Sequence, residues 1–322
     1  MATFETSLKS RLIYVFAIPD EWHKDCLKVG ETTLEEDDGN FPLPNSEVLN
    51  KAACDRIDQY TKTAGIAYNL LHTEMTVFFK GGTISSFNDK QVHSVLERSG
   101  VKKKTFDTVK GANEWFCCDL ETVKKAIHAV KNGRNSLNAS DISYTQTPII
   151  FRPEQQAAID KTKKQFKKGA QMLWNAKMRF GKTLCALRVA RDLEMRRTII
   201  LTHRPVVDES WFEDFGKIFY DRTDYHYGSR TKGEDFTSLE RLAKKGDRYV
   251  YFASMQDMRG AQLVGGKFDK NNEVFSTDWD FLIVDEAHEG TRTELGEYVI
   301  KELTKANKKV LKLSGTQFKP LD

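Results

Sequence analysis

The rhythm of apolar and polar positions changes near residue 150. From there to residue 322, short continuous apolar runs alternate with longer segments that repeat at helical spacing. This pattern predicts a helix over 154–168, a strand over 171–175, a helix over 182–194, a strand over 198–202 and a helix over 207–218. Strands follow at 248–253 and 280–284, then a helix at 292–305 and a strand at 309–313. Runs such as "TIIL" and "FLIV" do not alternate, as expected where helices cover both faces of a parallel sheet. Residues 8 to about 130 mix β-rich runs ("RLIYVFAI", "EMTVFFKG") with helical patterns ("NKAACDRIDQYTKTA", "DKQVHSVLERS", "DLETVKKAIHAVKN"). That order is α+β. The segment between, "KNGRNSLNASDISYTQTP", is rich in Ser, Asn and Thr and reads as a linker. The expected organisation is an α+β domain over 1–130, a linker over 131–148 and a parallel-sheet α/β domain over 149–322.

Length and composition agree with two domains. The chain has 322 residues, 39% of them apolar and 30% charged, enough to bury two cores. A net charge of +4 permits a nucleic-acid partner without requiring one. The lysines at 102–104 and those of the 154–168 helix read as solvated faces. Five cysteines without a C-x-x-C pair argue against a disulfide framework and for free thiols in a reducing cytoplasm. No run approaches the roughly 20 apolar residues of a membrane span, so a cytoplasmic protein is expected.

The candidate chemistry begins at "WNAKMRFGKTLCAL", residues 174–187, where an apolar run breaks at Gly181 and helix formers follow. A turn ending in Gly-Lys-Thr at a helix start offers backbone N–H groups and the positive helix end to an anion. Lys182 would reach the β- and γ-phosphates of a nucleotide, and the Thr183 hydroxyl would hold Mg²⁺. Ala176 stands where the first glycine of the full phosphate-loop pattern would be. Cys185, on the following helix, reads as core packing. A second element, "FLIVDEAHEG", sets Asp285 and Glu286 directly after an apolar strand, where open α/β sheets place their ligand chemistry. Asp285 would hold Mg²⁺, and Glu286 would polarise the water that attacks the γ-phosphate.

With these motifs in order, residues 150–322 resemble the superfamily 2 helicases and translocases, particularly the branch with restriction-enzyme motor subunits. "FRPEQQAAI" resembles the adenine-recognising motif, with Arg152 and Gln155 at the matching positions. "AKMRFGKT" matches the loop, with Arg179 and Phe180 in place of smaller residues and Gly181 before the lysine. "LTHRP" resembles motif Ia and "FASMQ" the turn that touches the nucleic-acid backbone, which implies contacts from Thr202, Arg204 and Gln256. His203 makes that motif unusual and reads as structural. "DEAH" is motif II, in which His288 would hydrogen-bond toward motif III. "LSGTQF" resembles motif III, with Ser314 and Thr316 coupling nucleotide state to strand grip. The resemblance implies a RecA-like fold, ATP and Mg²⁺ as cofactors, and a nucleic-acid partner, DNA rather than RNA, in restriction or phage defence. It also implies a second RecA-like lobe with an arginine finger, expected outside this chain, and hence weak turnover by this chain alone.

Residues 10 to about 118 resemble the GIY-YIG nucleases of the phage-type branch, whose second motif is usually K-I-G-x-T. Tyr14 matches the first-motif tyrosine, Lys28 and Gly30 the second motif, and Arg56 the helix arginine. "EWF" at 114–116 matches a closing strand. The family's metal-binding carboxylate falls on Asp89, four residues before His93, with Glu97 an alternative on the same helix. Arg56 would steady phosphorane charge, and Lys28 would face the nucleic acid or serve as a base. Three competing readings remain: a DNA-binding module that does not cleave, an α+β fold unrelated to these nucleases, and an RNA-directed motor.

Overall fold

The apolar stretch of β1 (Arg11–Ala17) is followed, after a polar excursion, by β2 (Leu27–Thr33), and the two pair antiparallel with Tyr14 opposite Gly30. In this computed structural model the described residues are 10–34, 41–106, 114–142, 149–177, 179–203, 205–285, 294–304 and 308–315. The chain divides into two compact units, Met1–Leu137 and Asn138–Asp322.

In the first unit, α1 (Glu47–Thr61) leads to β3 (Asn69–Met75), which pairs with the free side of β1. A small hairpin, β4 (Val77–Lys80) and β5 (Thr83–Ser86), precedes α2 (Asp89–Arg98). The two-residue β6 (Trp115–Phe116) then joins β2, and α3 (Leu120–Lys131) follows. The resulting sheet has the order β3-β1-β2-β6. Strand alternation sends Leu12, Tyr14 and Phe16 to one face, where they pack with Leu49, Ala53 and Ile57 of α1, spaced one helical turn apart. Burying each such large side chain contributes about 1.5–3 kcal/mol. The start of α2 is set by a reciprocal cap, Asn88 with Gln91.

In the second unit the expected alternation is present. Its elements are α4 (Pro153–Gln165), β7 (Gln171–Asn175), α5 (Lys182–Asp192), β8 (Arg197–Thr202) and α6 (Asp208–Phe219). Then come β9 (Tyr225–Gly228), α7 (Phe236–Lys244), β10 (Arg248–Ser254), α8 (Met255–Arg259) and α9 (Asn272–Ser276). The last elements are β11 (Phe281–Asp285), α10 (Glu294–Leu303) and β12 (Lys309–Ser314). Six parallel strands form one sheet in the order β7-β12-β11-β8-β10-β9, consistent with a RecA-like domain. Ile200, Ile283 and Leu311 pack on one face with Cys185, Trp211 and Phe215, whereas Ile199, Leu201, Leu282 and Val284 pack on the other with Leu239, Met255 and Trp279. Both faces are covered, which is why these strands carry no polar alternation.

Of the segment expected as a linker, residues 131–142 are described; Ser136 and Leu137 are buried there, and a 3₁₀ turn spans Ala139–Asp141. Leu137 N–H donates to Ser99 Oγ, a side-chain hydrogen bond of the kind that serine and asparagine offer the backbone. The strand β9 and helices α7 to α9 were not expected. β9 is a four-residue edge strand containing a His, too short for an apolar pattern to reveal. Among the described residues, no helix is long and apolar enough to cross a membrane.

Candidate functional site

Because all six strands of the second unit are parallel, their carboxyl ends share one edge of the sheet. Asn175, Ser314, Asp285 and Thr202 are mutual neighbours there: Ser314 pairs with Asn175, and Asp285 with Thr202. The strand ending in Ser314 lies between the loop strand β7 and the Asp285 strand β11. Ala176 N–H donates to the Ser314 carbonyl at 3.1 Å, which ties the base of the loop to β12.

The loop reverses direction through two left-handed residues, Arg179 (φ 65°) and Gly181 (φ 85°). The left-handed conformation at Gly181 favours glycine, and a β-carbon there would meet Gln155 Nε2 at 2.7 Å, so the Gln155 side chain would have to shift. Lys182 and Thr183 then open α5, an 11-residue helix whose first N–H groups lack intrahelical partners. Both residues are partly exposed. This cradle suits an anion, and the Thr183 hydroxyl together with the Asp285 carboxylate suits a hard divalent cation. Trp211 Nε1 approaches Asp285 Oδ2 at 3.4 Å.

Gln155 and Arg152 act on the loop from α4. The Gln155 amide donates to the Phe180 carbonyl at 2.6 Å and accepts from Arg152 N–H at 2.8 Å. Arg152 Nη2 donates to the same Phe180 carbonyl at 3.0 Å. Expected as base-recognising residues, the two are here engaged with the loop backbone. Thr202, expected against nucleic acid, is buried at the end of a central strand, so its side chain has no outward face. Gln256, at the start of α8, is exposed. Ser314 is fully buried, and Cys185 sits in the core as expected. Arg204, Glu286, His288 and Thr316 lie outside the described residues.

In the first unit a separate polar cluster forms on the α1 face of the sheet. The ring of Tyr14 lies over Gly30, where a β-carbon would meet Tyr14 Oη at 2.7 Å. Burial first, and then the neighbouring Tyr14 hydroxyl, holds the Tyr60 phenol well above its usual range, against the opposing charge of Arg56. Lys28 Nζ lies 5.0 Å from the centroid of the Tyr60 ring and 3.0 Å from Glu114 Oε2. Arg56 is exposed, one helical turn before Tyr60, and donates to Gln59. Tyr14, Lys28 and Arg56 are thus brought together.

Asp89 is not part of this group. Its backbone N–H meets Glu31 Oε2 at 3.3 Å, and Glu31 stands opposite Ile13, on the other side of the pleat from Tyr14 and Lys28. His93 is buried and donates from Nε2 to the Val29 carbonyl, while Glu97 pairs with Lys103. The missed members are Tyr60 and Glu114. Tyr60 could have been found from its spacing, one turn beyond Arg56, and Glu114 from its place in "EWF". Among the described residues, no group of three or more His, Cys, Asp or Glu side chains could hold a metal ion.

Several known proteins resemble the chain. A Mycoplasma pneumoniae protein, named as the C-terminus of a candidate type II restriction enzyme and methyltransferase, is 29% identical over 167 residues. That match covers 49% of this chain and 22% of that protein, so the chain spans about a fifth of its relative. Among solved structures, the Sulfolobus solfataricus SWI2/SNF2 ATPase core in complex with dsDNA is similar at a TM-score of 0.41 and 16% identity, over 55% of this chain and 34% of that one. The UvsW helicase of bacteriophage T4 gives a TM-score of 0.37 and 15% identity, over 61% of this chain and 70% of that one. The family described as type III restriction enzyme, res subunit, matches residues 148–319. That is more than half of the sequence, and the chain belongs to this family.

Proposed function

We propose that residues 149–322 bind ATP with Mg²⁺ and hydrolyse it as the first lobe of a motor that moves on DNA. The observation that carries this reading is the shared strand edge, which brings the left-handed loop before Lys182 into one row with Asp285. Lys182 and the first N–H groups of α5 would bind the phosphates, while Gln155 and Arg152 hold the loop from behind. Mg²⁺, held by Thr183 and Asp285, would neutralise charge on the phosphates. Glu286 would orient the attacking water. Ser314, hydrogen-bonded through its carbonyl to the base of the loop, would pass nucleotide state to Thr316. Gln256 and Arg204 would contact the nucleic-acid backbone. The test is nucleotide binding by calorimetry: wild type binds ATP with Mg²⁺, and Lys182→Ala binds it about 100-fold more weakly. Equal binding by both would refute the assignment.

For the first unit we propose a DNA-directed module of GIY-YIG type, with Tyr14, Lys28 and Arg56 facing a phosphodiester. Metal-dependent nicking would need a carboxylate among them, and Glu114 has the better position than Asp89. A specific observation also favours binding without cleavage: Glu114, the carboxylate of this cluster, is ion-paired with Lys28. Nicking of supercoiled plasmid with Mg²⁺ or Mn²⁺ decides between the two. Salt-sensitive binding without nicks under either metal would leave the non-cleaving module.

A further inference from the structure

The register that seats β6 on β2 places Leu27 opposite Phe116 and Lys28 opposite Trp115. One position further along the same ladder, Cys26 meets Cys117, and their sulfurs lie 2.9 Å apart in a thiol–thiol hydrogen bond. The two residues come from positions 91 apart in the chain, so the contact is a product of the fold. Both neighbouring backbones are held: Cys26 N–H donates to the His23 carbonyl at 3.0 Å and Cys117 N–H to the Lys102 carbonyl at 2.8 Å. The partners are unequal. Cys26 is buried, and Cys117 is exposed.

We propose that Cys26 and Cys117 form an oxidative modification site that takes a hydroperoxide and closes a disulfide between β2 and β6. Nothing in the nucleotide site or the Tyr14 cluster requires this thiol pair, and the proposal stands whether or not the first unit cleaves DNA. The exposed Cys117 is the sulfur a peroxide reaches first. Its thiolate attacks one peroxide oxygen, the O–O bond breaks, and with one proton taken up a water leaves, giving Cys117 sulfenic acid. Cys26 sulfur then attacks the Cys117 sulfur; the S–O bond breaks, the S–S bond forms, and the hydroxyl departs with the Cys26 proton as a second water. Two thiols lose two electrons and one peroxide gains them. Burial, with the hydrogen bond to Cys117, pushes the Cys26 thiol up to about 12, so Cys26 remains protonated until Cys117 has been activated.

The geometry favours this pair over the adjacent cysteines. Directly opposed antiparallel residues have β-carbons about 4.5–5.5 Å apart, and a disulfide needs about 3.5–4.5 Å, a small closure for a two-residue edge strand. Cys117 and Cys118 are sequence neighbours in the bend that follows β6, and it is Cys117 whose sulfur meets Cys26. Closing the bond would fasten Glu114 and Trp115 beside Lys28.

The experiment uses the full chain. Reduced protein is treated with a small excess of hydrogen peroxide, alkylated, digested without reductant and mapped by mass spectrometry. A Cys26–Cys117 linked peptide, retained in Cys118→Ser and absent from Cys117→Ser, is the expected result. In Cys26→Ser, a sulfenic-acid probe should label Cys117, because the resolving thiol is gone. Thermal unfolding of the oxidised wild type should shift upward by several degrees and return on reduction, since the closed loop is long. A Cys117–Cys118 peptide, an intermolecular disulfide as the main product, or over-oxidised Cys117 beside free Cys26 would each overturn the proposal.

Discussion

The two units place their candidate chemistry on different parts of a sheet. In the second unit, residues at the carboxyl ends of parallel strands line one edge, each group directly following its strand in sequence. In the first unit, residues on one face of an antiparallel sheet are joined by residues from a helix and by Glu114, just before a distant two-residue strand. An edge site is assembled from contiguous motifs, so errors of register barely move it. A face site depends on register, because a shift of one residue sends a side chain to the other side. The fate of Asp89 illustrates this. Its spacing to His93 fits the family pattern, yet its helix docks on Glu31, one position along β2 from Gly30.

Substitutions can break or sharpen this contrast. The largest expected effect is at the edge site: Glu286→Gln should lower ATP turnover by about 10²–10⁴-fold while nucleotide affinity changes little. Phosphate release and calorimetry measure the two quantities, and normal turnover would remove Glu286 from the mechanism. Next, if the first unit nicks DNA, Arg56→Ala should lower the rate by about 10²–10³-fold. Its unfolding midpoint should hardly move, because Arg56 is exposed and its stability contribution is within about 0.5 kcal/mol. Lys182→Ala should weaken ATP binding by about 100-fold, near 3 kcal/mol, the loss of a charge-assisted contact.

Smaller effects test the supports. Gln155→Ala removes both hydrogen bonds that its amide makes to the Phe180 carbonyl and the Arg152 N–H. It should lower stability by about 1–3 kcal/mol in denaturant unfolding and weaken ATP binding. A variant with unchanged affinity would show that the loop holds its shape without α4. The smallest effect is expected at Asp89: Asp89→Asn should leave nicking within about two-fold, whereas Glu114→Gln should reduce it through Lys28. The reverse outcome would return the carboxylate role to α2 and contradict the face assignment.

The alternating elements of residues 150–322, the loop at Gly181 and the carboxylate at the end of "FLIV" were legible because each is a local pattern: a continuous apolar run, a left-handed turn, a helix start. Tertiary structure alone decided which strands are neighbours and therefore that Ser314 stands between the loop and Asp285. It also decided that Gln155 hydrogen-bonds the loop backbone and that Thr202 is buried. The buried Asp208 makes the same point: it accepts hydrogen bonds from Tyr227, Ser229 and Thr231, up to 23 positions away, and reads in sequence as an ordinary acidic helix start. In the first unit, the sequence supplied Tyr14, Lys28 and Arg56, but the pleat and the pairing of β2 with β6 supplied Tyr60, Glu114 and the Cys26–Cys117 contact. Local patterns are written in consecutive residues and survive without a fold. Contacts between distant residues exist only after register and helix docking have chosen which side chains face each other.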